Sequence, residues 1–526
     1  MEEKKIAIIG AGVSGLLACK YALEKGFNPI VFEARNEVGG VWTETIESTK
    51  LQTPKCYYQF SDHPWPDSVK ETFPDHKQVM NYLKSYALHF NLFPYIKFNT
   101  RIMSIDYLTP SDQDLGSWDR WGGTGKPFSS SGRWIITLQS SLNPTAENEV
   151  YQVDFVILCI GKFSDLPNMP DFPLNGGPEV FDGEVLHSME YAAMADAQAA
   201  EIIKDKRVAV VGFQKSAVDL AAEIAKKNGA KHPCTLLFRT VHWTVPETFL
   251  TANFRNLNRF SELMIHKPGE GFFLWLLALL LSPLLWIFSK FVEVYLRWTY
   301  PLKKFNMVPE HGFFNQISSC MFTVLPASFY DRVKEGSLIL KKSKAFRFCR
   351  SGLIIDEEQA PVETDMVIFA TGYKSDQKLM NIFTSTFFQK CIVDSTAPFY
   401  RECIHPRIPQ LAILGYSESP AILYTTEMRC KWLAQFLEGN FKLPTIKEME
   451  EDVIKWEKCS RSYAGKGYKR ACVSVLLQIY CNDQICKDMG CNPRRKKWFL
   501  AELFAPYEPK DYAKMTKLNC IQSFEI

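Results

Sequence analysis

The first forty residues of the 526-residue chain carry the pattern that most constrains its fold. An apolar run at 5–9 leads into a glycine-rich turn at 10–15, a helical stretch at 16–24 follows, and a second apolar run at 30–32 ends at Glu33. Strand, glycine turn, helix, strand and terminal acid in this order are typical of a βαβ unit that binds a dinucleotide. The start of the chain therefore predicts an α/β fold with a Rossmann-like domain.

The three glycines of the turn and the acid that ends the second strand have predicted roles in nucleotide binding. Gly10 permits the tight turn, Gly12 leaves room for a pyrophosphate, and Gly15 lets the helix pack closely on the strand, so that N–H groups at the helix start face the phosphates. Glu33 is placed to accept hydrogen bonds from a ribose 2′-OH and would repel a 2′-phosphate. This site is therefore expected to bind FAD or NAD rather than NADP.

A second strand, turn and helix begins at residue 206. Its turn keeps Gly212 and Ser216, but Gln214 stands where a second glycine would let a phosphate approach. The next strand ends in Arg239 and Thr240 instead of an acid, and a cation beside a hydroxyl suits a 2′-phosphate. We expect this second site to bind NADPH; the alternative is that Arg239 is an ordinary exposed surface residue.

Composition narrows the class of protein. Hydrophobic residues make up 46% and charged residues 23%, as in ordinary globular enzymes, and a net charge of +3 gives no general footprint for nucleic acid. The basic run 494–497 is interpreted as a solvated surface.

The 15 cysteines have no metal-binding spacing, so no metal site and only reduced thiols are expected. The chain starts without a secretory signal, which predicts a cytoplasmic protein.

One apolar segment, 272–288, has seventeen uncharged residues interrupted by Pro283. That length approaches the roughly 20 residues that span a bilayer. We expect a helical hairpin that either dips into a membrane face, such as the cytosolic face of the endoplasmic reticulum, or covers the active site. A buried core element is the second interpretation, and a true membrane span is the third.

Four further motifs identify a family. They are Gly-Gly-x-Trp at 39–42, Ser-Asp-x-Pro-Trp-Pro at 61–66, the pattern F-x-G-x-x-x-H-x-x-x-[FY] at 181–191, and Ala-Thr-Gly-Tyr at 370–373. Together with both glycine turns, they resemble the flavin-containing monooxygenases over nearly the whole chain. The resemblance is greatest to the plant members, and among these to the branch that N-hydroxylates pipecolate. His187, inside the third motif, is interpreted as a family marker without a role in proton transfer.

The resemblance implies two Rossmann-like domains, with an NADPH-binding domain inserted into an FAD-binding domain. The predicted boundaries are 1–172 for the first part of the FAD domain, 173–335 for the NADPH domain, 336–445 for the return to the FAD domain, and 446–526 for a C-terminal helical extension. The residues implied to bind cofactors are Gly10, Gly12, Gly15, Glu33, Gly40, Trp42, Gly212, Ser216, Arg239, Thr240, Thr371 and Gly372. Gln52 stands where many members have an asparagine beside the flavin, so it is the implied catalytic amide.

The implied reaction uses NADPH and O2 to oxygenate a soft nitrogen or sulfur nucleophile through a C4a-hydroperoxyflavin. N-hydroxylation of an amine or imino acid is the first expectation for the substrate. S-oxygenation of a thioether and decarboxylating oxidation of an oxo-acid, as in the auxin-forming relatives, would use the same cofactors. Two interpretations involve no oxygenated product: an uncoupled NADPH oxidase that releases H2O2, and a non-catalytic FAD-binding regulatory protein.

Overall fold

Two parallel β-sheets organise the chain, and helices cover them. The computed structural model describes residues 4–108, 118–128, 132–356, 360–394 and 398–515. In chain order the strands are β1 Ile6–Ile9, β2 Ile30–Phe32, β3 Ile96–Lys97, β4 Thr100–Leu108, β5 Arg133–Ser140, β6 Glu149–Val153, β7 Phe155–Leu158, β8 Glu184–His187, β9 Val208–Val211, β10 Cys234–Phe238, β11 Thr244–Val245, β12 Thr323–Val324, β13 Leu338–Lys342, β14 Phe346–Cys349, β15 Gly352–Ile355, β16 Val362–Glu363, β17 Met366–Phe369 and β18 Leu411–Ile413. The helices are α1 Val13–Glu24, α2 His76–His89, α3 Ser188–Ala192, α4 Asp196–Ile203, α5 Lys215–Asn228, α6 Glu247–Asn253, α7 Arg259–Leu263, α8 Phe272–Thr299, α9 Phe313–Ser318, α10 Phe329–Glu335, α11 Ser375–Asn381, α12 Thr386–Asp394, α13 Ile422–Leu437, α14 Ile446–Ala464, α15 Gln478–Asp488 and α16 Phe499–Phe504.

The first sheet has five strands in the order β18-β7-β1-β2-β3, and every neighbouring pair is parallel. All four residues of β1 are buried and apolar, as a central strand covered on both faces requires. The loop before α13 and the glycine turn before α1 both lie at the carboxyl ends of these strands, where parallel sheets bind ligands. The predicted Rossmann-like fold is confirmed here.

The second sheet has five parallel strands in the order β13-β10-β9-β17-β8, and it corrects a predicted boundary. The sequence predicts a return to the first domain at residue 336, but β13 pairs with β10 and β17 pairs with both β9 and β8. The second domain therefore continues to the end of β17. Short apolar strands such as these can extend either sheet, and only their partners decide which.

Three smaller sheets complete the β structure. The strands β4, β5 and β6 form one antiparallel sheet, and β14, β15 and β16 form another. The third is the short parallel pair β11 and β12. Of the glycine-, serine- and aspartate-rich excursion predicted between 108 and 132, residues 109–117 and 129–131 lie outside the described residues.

The apolar segment is one continuous helix, α8, so the predicted hairpin is wrong. Proline lacks the N–H that would bond the carbonyl of Leu279, four residues before Pro283, but the Ser282 hydroxyl donates to that carbonyl at 3.0 Å. The helix therefore passes through the proline with its freed acceptor satisfied. Within the described residues α8 alone is long and apolar enough to cross a bilayer by length and composition. Its most apolar window has a mean hydropathy of 2.2 and is only 11% buried, which excludes the core interpretation.

The C-terminal half of the chain returns to the first sheet and then becomes helical. Helix α13 packs against α1. It begins at Ile422, five residues before the predicted start at Glu427. Helices α14, α15 and α16 follow it.

Candidate nucleotide and substrate cleft

One cleft of about 2380 Å³ runs between the two parallel sheets and gathers nearly all the predicted site residues. A pocket for one drug-sized ligand measures roughly 300–1,000 Å³, so this cleft has room for two dinucleotides and a substrate. Twelve of the thirteen predicted residues line it, and Gly15 is the exception. They are Gly10, Gly12, Glu33, Gly40, Trp42, Gln52, Gly212, Ser216, Arg239, Thr240, Thr371 and Gly372.

Gly15 is needed by packing rather than by contact with a ligand. A Cβ on Gly15 would lie 1.8 Å from the carbonyl oxygen of Gly10, and a Cβ on Gly10 would lie 2.5 Å from that of Cys159. The Gly10 N–H donates to the Phe32 carbonyl at 2.8 Å, which ties the turn to the end of β2. Since no side chain caps α1, its first N–H groups are free to bind an anion in the cleft.

The Glu33 carboxylate is held at the edge of this turn. One of its oxygens accepts from the N–H of Ala11 at 2.6 Å, and the other accepts from the N–H of Arg35 at 2.9 Å. Each carboxylate oxygen keeps a further lone pair for a hydroxyl. The carboxylate therefore has a fixed position at the end of β2, where a ribose would be bound.

Gly40 and Trp42 form the facing side of the first nucleotide site. A Cβ on Gly40 would lie 3.0 Å from Gly12 Cα, and one on Gly12 would lie 3.3 Å from Gly40 Cα. Two glycines thus make a cradle of bare backbone that any side chain would fill. The indole N–H of Trp42 donates to the hydroxyl of Tyr58 at 3.0 Å, which fixes the ring at the cleft. This cradle fits the pyrophosphate of FAD.

The second glycine turn repeats the geometry of the first. The Gly212 N–H donates to the Leu237 carbonyl at 2.9 Å, as Gly10 does to Phe32, and a Cβ on Gly212 would lie 2.4 Å from the Ala370 carbonyl oxygen. Ser216 is exposed to the cleft. Gln214 precedes α5 with its side chain exposed and not capping the helix, so the side chain does not occupy the α5 N–H groups.

A second cation joins Arg239 at the carboxyl edge of the second sheet. Arg239 and Thr240 are exposed just beyond β10. The neighbouring strand β13 continues into Ser343, whose N–H donates to the Phe238 carbonyl at 3.0 Å, and then into Lys344, which is exposed and lines the same cleft. Sequence reasoning missed Lys344 because nothing in the chain indicates that β13 lies beside β10.

Gln52 lies where the two domains meet. Its side-chain oxygen accepts from the N–H of Val324, in β12 of the second domain, at 3.4 Å. The neighbouring Thr53 donates its hydroxyl to the Pro420 carbonyl at 3.0 Å, in the loop that precedes α13. The amide predicted to lie near the reactive centre is therefore at the junction of both nucleotide-binding domains.

Thr371 and Gly372 hold the crossing between the domains. The Thr371 hydroxyl donates to the Asn168 carbonyl at 2.5 Å, and the Asn168 N–H donates to the Gly372 carbonyl at 2.9 Å. His187 accepts from the Met189 N–H through Nδ1 at 3.1 Å, so its other ring nitrogen carries the proton and donates to Gly372 at 3.1 Å. Burial lowers the pKa of His187, which keeps the ring neutral. Its hydrogen bonds connect the end of β8 to the segment that follows β17.

Two further features of the cleft wall were not expected from the sequence. Lys469 is half-buried in the cleft, and burial lowers the pKa of its ammonium. A disulfide joins Cys320 to Cys472, which corrects the expectation of thiols alone. These sulfurs and Glu418 lie within 4.8 Å of one another, but the sulfurs are bonded together and Lys162 pairs with Glu418, so the group is not suited to a metal ion.

Comparison with known sequences shows the family. The model of the FMO-like family, described as "Flavin-binding monooxygenase-like", matches residues 3–503. "Probable flavin-containing monooxygenase 1" of Arabidopsis thaliana is 37% identical to this chain, and the alignment covers 97% of this chain and 96% of the relative. "Putative flavin-containing monooxygenase 2" of the same plant is 33% identical, with 93% and 98% covered. "Flavin-containing monooxygenase 5" of Rattus norvegicus is 27% identical, with 86% and 77% covered.

Solved structures share the fold. Cyclohexanone monooxygenase from Rhodococcus sp. Phi1, bound to NADP+, superposes with a TM-score of 0.64 at 15% identity over 92% of this chain and 97% of that one. S-allyl-L-cysteine S-oxygenase from Allium sativum gives a TM-score of 0.56 at 17% identity, with 93% and 88% covered. The chain therefore belongs to the flavin-binding monooxygenase-like family, as a plant-type flavin-containing monooxygenase that uses FAD, NADPH and O2.

Proposed function

We propose that this monooxygenase transfers oxygen to a soft nitrogen or sulfur nucleophile of a small molecule, and that N-hydroxylation of an amine or imino acid is its reaction. The observation that carries the proposal is the shared cleft. The strand that follows one glycine turn ends at a carboxylate, the strand that follows the other ends at an arginine, and both turns line the same cleft as Gln52. Reduction by NADPH and oxygen transfer can therefore take place at one flavin.

The side chains and backbone of the protein bind the cofactors, orient them and limit the access of water to them. When bound, FAD and NADPH supply the hydride and the activation of O2, so no side-chain nucleophile is required. The Gly12 and Gly40 backbone supports the flavin nucleotide, and the uncapped start of α13 supplies free N–H groups near the loop 417–421. The Gln52 side-chain oxygen accepts from the Val324 N–H, and its NH2 group would donate to a bound nicotinamide or flavin at the junction. Residues of both domains line the cleft, which would limit the access of water to the reactive position.

Lys469 supports a substrate that carries a carboxylate. Its ammonium forms no hydrogen bond or ion pair with any described residue, although it lies in the field of Glu418 and Lys162. A half-buried cation without a partner is costly to desolvate, and an anionic ligand would compensate that cost. An imino acid or amino acid combines such an anion with an oxidisable nitrogen.

The test uses purified enzyme with NADPH, O2 and matched pairs of cyclic secondary amines, with and without an adjacent carboxylate. We expect a product one oxygen atom heavier, formed in proportion to NADPH consumed, and a lower KM for the carboxylate-bearing amine. Lys469→Gln should raise that KM roughly tenfold or more, as expected for a lost charge-assisted hydrogen bond, and leave the KM of the neutral amine unchanged. If H2O2 accounted for all NADPH consumed, the enzyme would be an uncoupled oxidase. Thioether oxidation alone would make it an S-oxygenase.

We also propose that the enzyme works at a membrane surface, on the cytosolic face of the endoplasmic reticulum. The support is α8, whose outer residues include the exposed Phe273, Leu280 and Trp286, while Leu284 and Leu285 line the cleft. Such a helix can lie in the interface with its apolar side in lipid. Replacing Leu280, Trp286 and Phe291 together by serine should shift the protein from the microsomal to the soluble fraction without changing its FAD content. An unchanged distribution would contradict this location.

A further inference from the structure

We propose that residues 494–504, here called the C-terminal wedge, form a second membrane contact that selects anionic lipid headgroups. The wedge does not line the cleft and is distinct from α8 in the chain, since it belongs to the C-terminal extension. Trp498 and Phe499 are each 77% exposed, and Leu500 is 67% exposed. Three consecutive apolar side chains in water are unfavourable, and in monomeric proteins such patches mark an interaction site.

The wedge is anchored to the rest of the extension by the hydrogen bonds of one buried carboxylate. Buried Glu502 accepts from the N–H groups of Arg495 at 3.1 Å and Lys496 at 2.8 Å, and it also accepts from Arg259 Nε. Arg259 in turn donates to Asp483 at 2.9 Å. One carboxylate thus fixes both the basic run and the helix that carries the aromatic residues.

The charges of the wedge divide into two groups. Lys496 pairs with Asp511, and Arg495 donates to backbone carbonyls that include Asp511 O at 2.8 Å. Arg494 and Lys497 are exposed, and within the described part of the chain no carboxylate pairs with either side chain. The sequence interpretation of this run as a solvated surface therefore holds for Arg494 and Lys497, which flank the apolar side chains, whereas Arg495 and Lys496 are used in folding.

The combination of exposed cations and an exposed tryptophan indicates the partner. Tryptophan is favoured at the level of lipid headgroups, where its ring is partly in the apolar region and its N–H is in water. Basic residues beside it are attracted by the negative potential of phosphatidylserine or phosphatidylinositol. The ring of Phe504 lies 5.1 Å from that of Phe260 in α7, and α7 contacts α8. The wedge is therefore joined to the apolar helix through one short element.

The experiment is sedimentation of the FAD-loaded enzyme with vesicles of phosphatidylcholine alone or phosphatidylcholine mixed with phosphatidylserine. Each cation near an anionic surface contributes about 1 kcal/mol, so Arg494→Gln with Lys497→Gln should weaken binding to the mixed vesicles about 30-fold and leave binding to neutral vesicles unchanged. Lys447→Gln with Lys455→Gln, which removes the same charge from exposed positions on α14, is the matched control. It should have little effect.

A second variant tests the apolar contribution separately. Trp498→Ser with Phe499→Ser should weaken binding to both kinds of vesicle, while the FAD content and thermal midpoint remain those of the wild type, because neither ring is packed in the core. Equal binding of the charge variant and its control would overturn the proposal. So would a wild-type preference for neutral vesicles, or a change from dimer to monomer in Trp498→Ser, which would assign the surface to a second copy of the chain.

Discussion

We predict that the preference for NADPH over NADH depends on Arg239, and its replacement by alanine gives a quantitative test. Arg239 is exposed at the end of β10, and Lys344 lies beyond the adjacent strand. A charge-assisted contact is worth roughly 1.5–3 kcal/mol, but water screens an exposed group, so we expect about 1–1.5 kcal/mol. This corresponds to an increase of about 5- to 13-fold in the KM for NADPH, with the KM for NADH unchanged.

The assay is steady-state oxidation of NADPH and of NADH by the FAD-loaded enzyme. The 2′-phosphate is remote from the nicotinamide, so Arg239→Ala should raise KM and leave kcat unchanged. Lys344→Ala should have a smaller effect of the same kind. The double variant should show an effect that is not the sum of the two, because both cations would bind one phosphate. Lys226→Ala removes an exposed cation from the end of α5, away from the cleft, and serves as the control.

Two results would refute this reasoning. Equal increases in the KM for NADPH and NADH would show that Arg239 supports the fold or a group common to both nucleotides. An Arg239→Ala enzyme indistinguishable from Lys226→Ala would make Arg239 an ordinary surface residue.

Three further predictions concern the turns and the stability. Gly15→Ala should abolish FAD binding in purified protein, because the added Cβ would lie 1.8 Å from the Gly10 carbonyl oxygen. Gly26→Ala is the control and should retain FAD, since Gly26 has φ +77° but no neighbour within 4 Å of an added Cβ. Retention of FAD by both variants would contradict the packing argument. Gln214→Gly should lower the KM for NADPH by freeing the approach to the second turn, and an unchanged KM would show that the exposed amide does not obstruct it. Burial lowers the pKa of His405 to about 3, below its ordinary value of 6.5. The unfolded chain alone therefore binds a proton there between these pH values, and stability should fall as pH falls through that window, by up to about 1.4 kcal/mol per pH unit. Urea unfolding should show a smaller pH slope in His405→Gln, and an equal slope would be contrary to expectation.

Much of the fold could be predicted because its signals are local. The turns at Gly10 and Gly212 each occupy a few consecutive residues, and steric limits on the backbone near a phosphate dictate which residue types are tolerated there. The same is true of Glu33 and Arg239, since each directly follows a strand. These residues could therefore be assigned to the nucleotide sites without knowing how the sheets are assembled.

The missed features depend on contacts between distant segments. Lys344 and Lys469 matter only because β13 lies beside β10 and because the C-terminal extension reaches the cleft. The assignment of β17 to the second sheet is also non-local, since its pattern would suit either sheet. In the continuous helix α8, the Ser282 hydroxyl bonds the carbonyl that Pro283 leaves without a donor, and hydrophobicity does not predict this bond.

We infer that one cleft holds a flavin on the acid-terminated turn and a phosphorylated nicotinamide on the arginine-terminated turn, close enough to exchange a hydride. Anaerobic mixing of the purified protein with one equivalent of NADPH, followed by the visible absorbance of the flavin, tests it most directly. We predict one FAD per chain that NADPH bleaches rapidly and NADH bleaches much more slowly. A protein that binds no FAD, or bound FAD that NADPH leaves oxidised, would contradict the account.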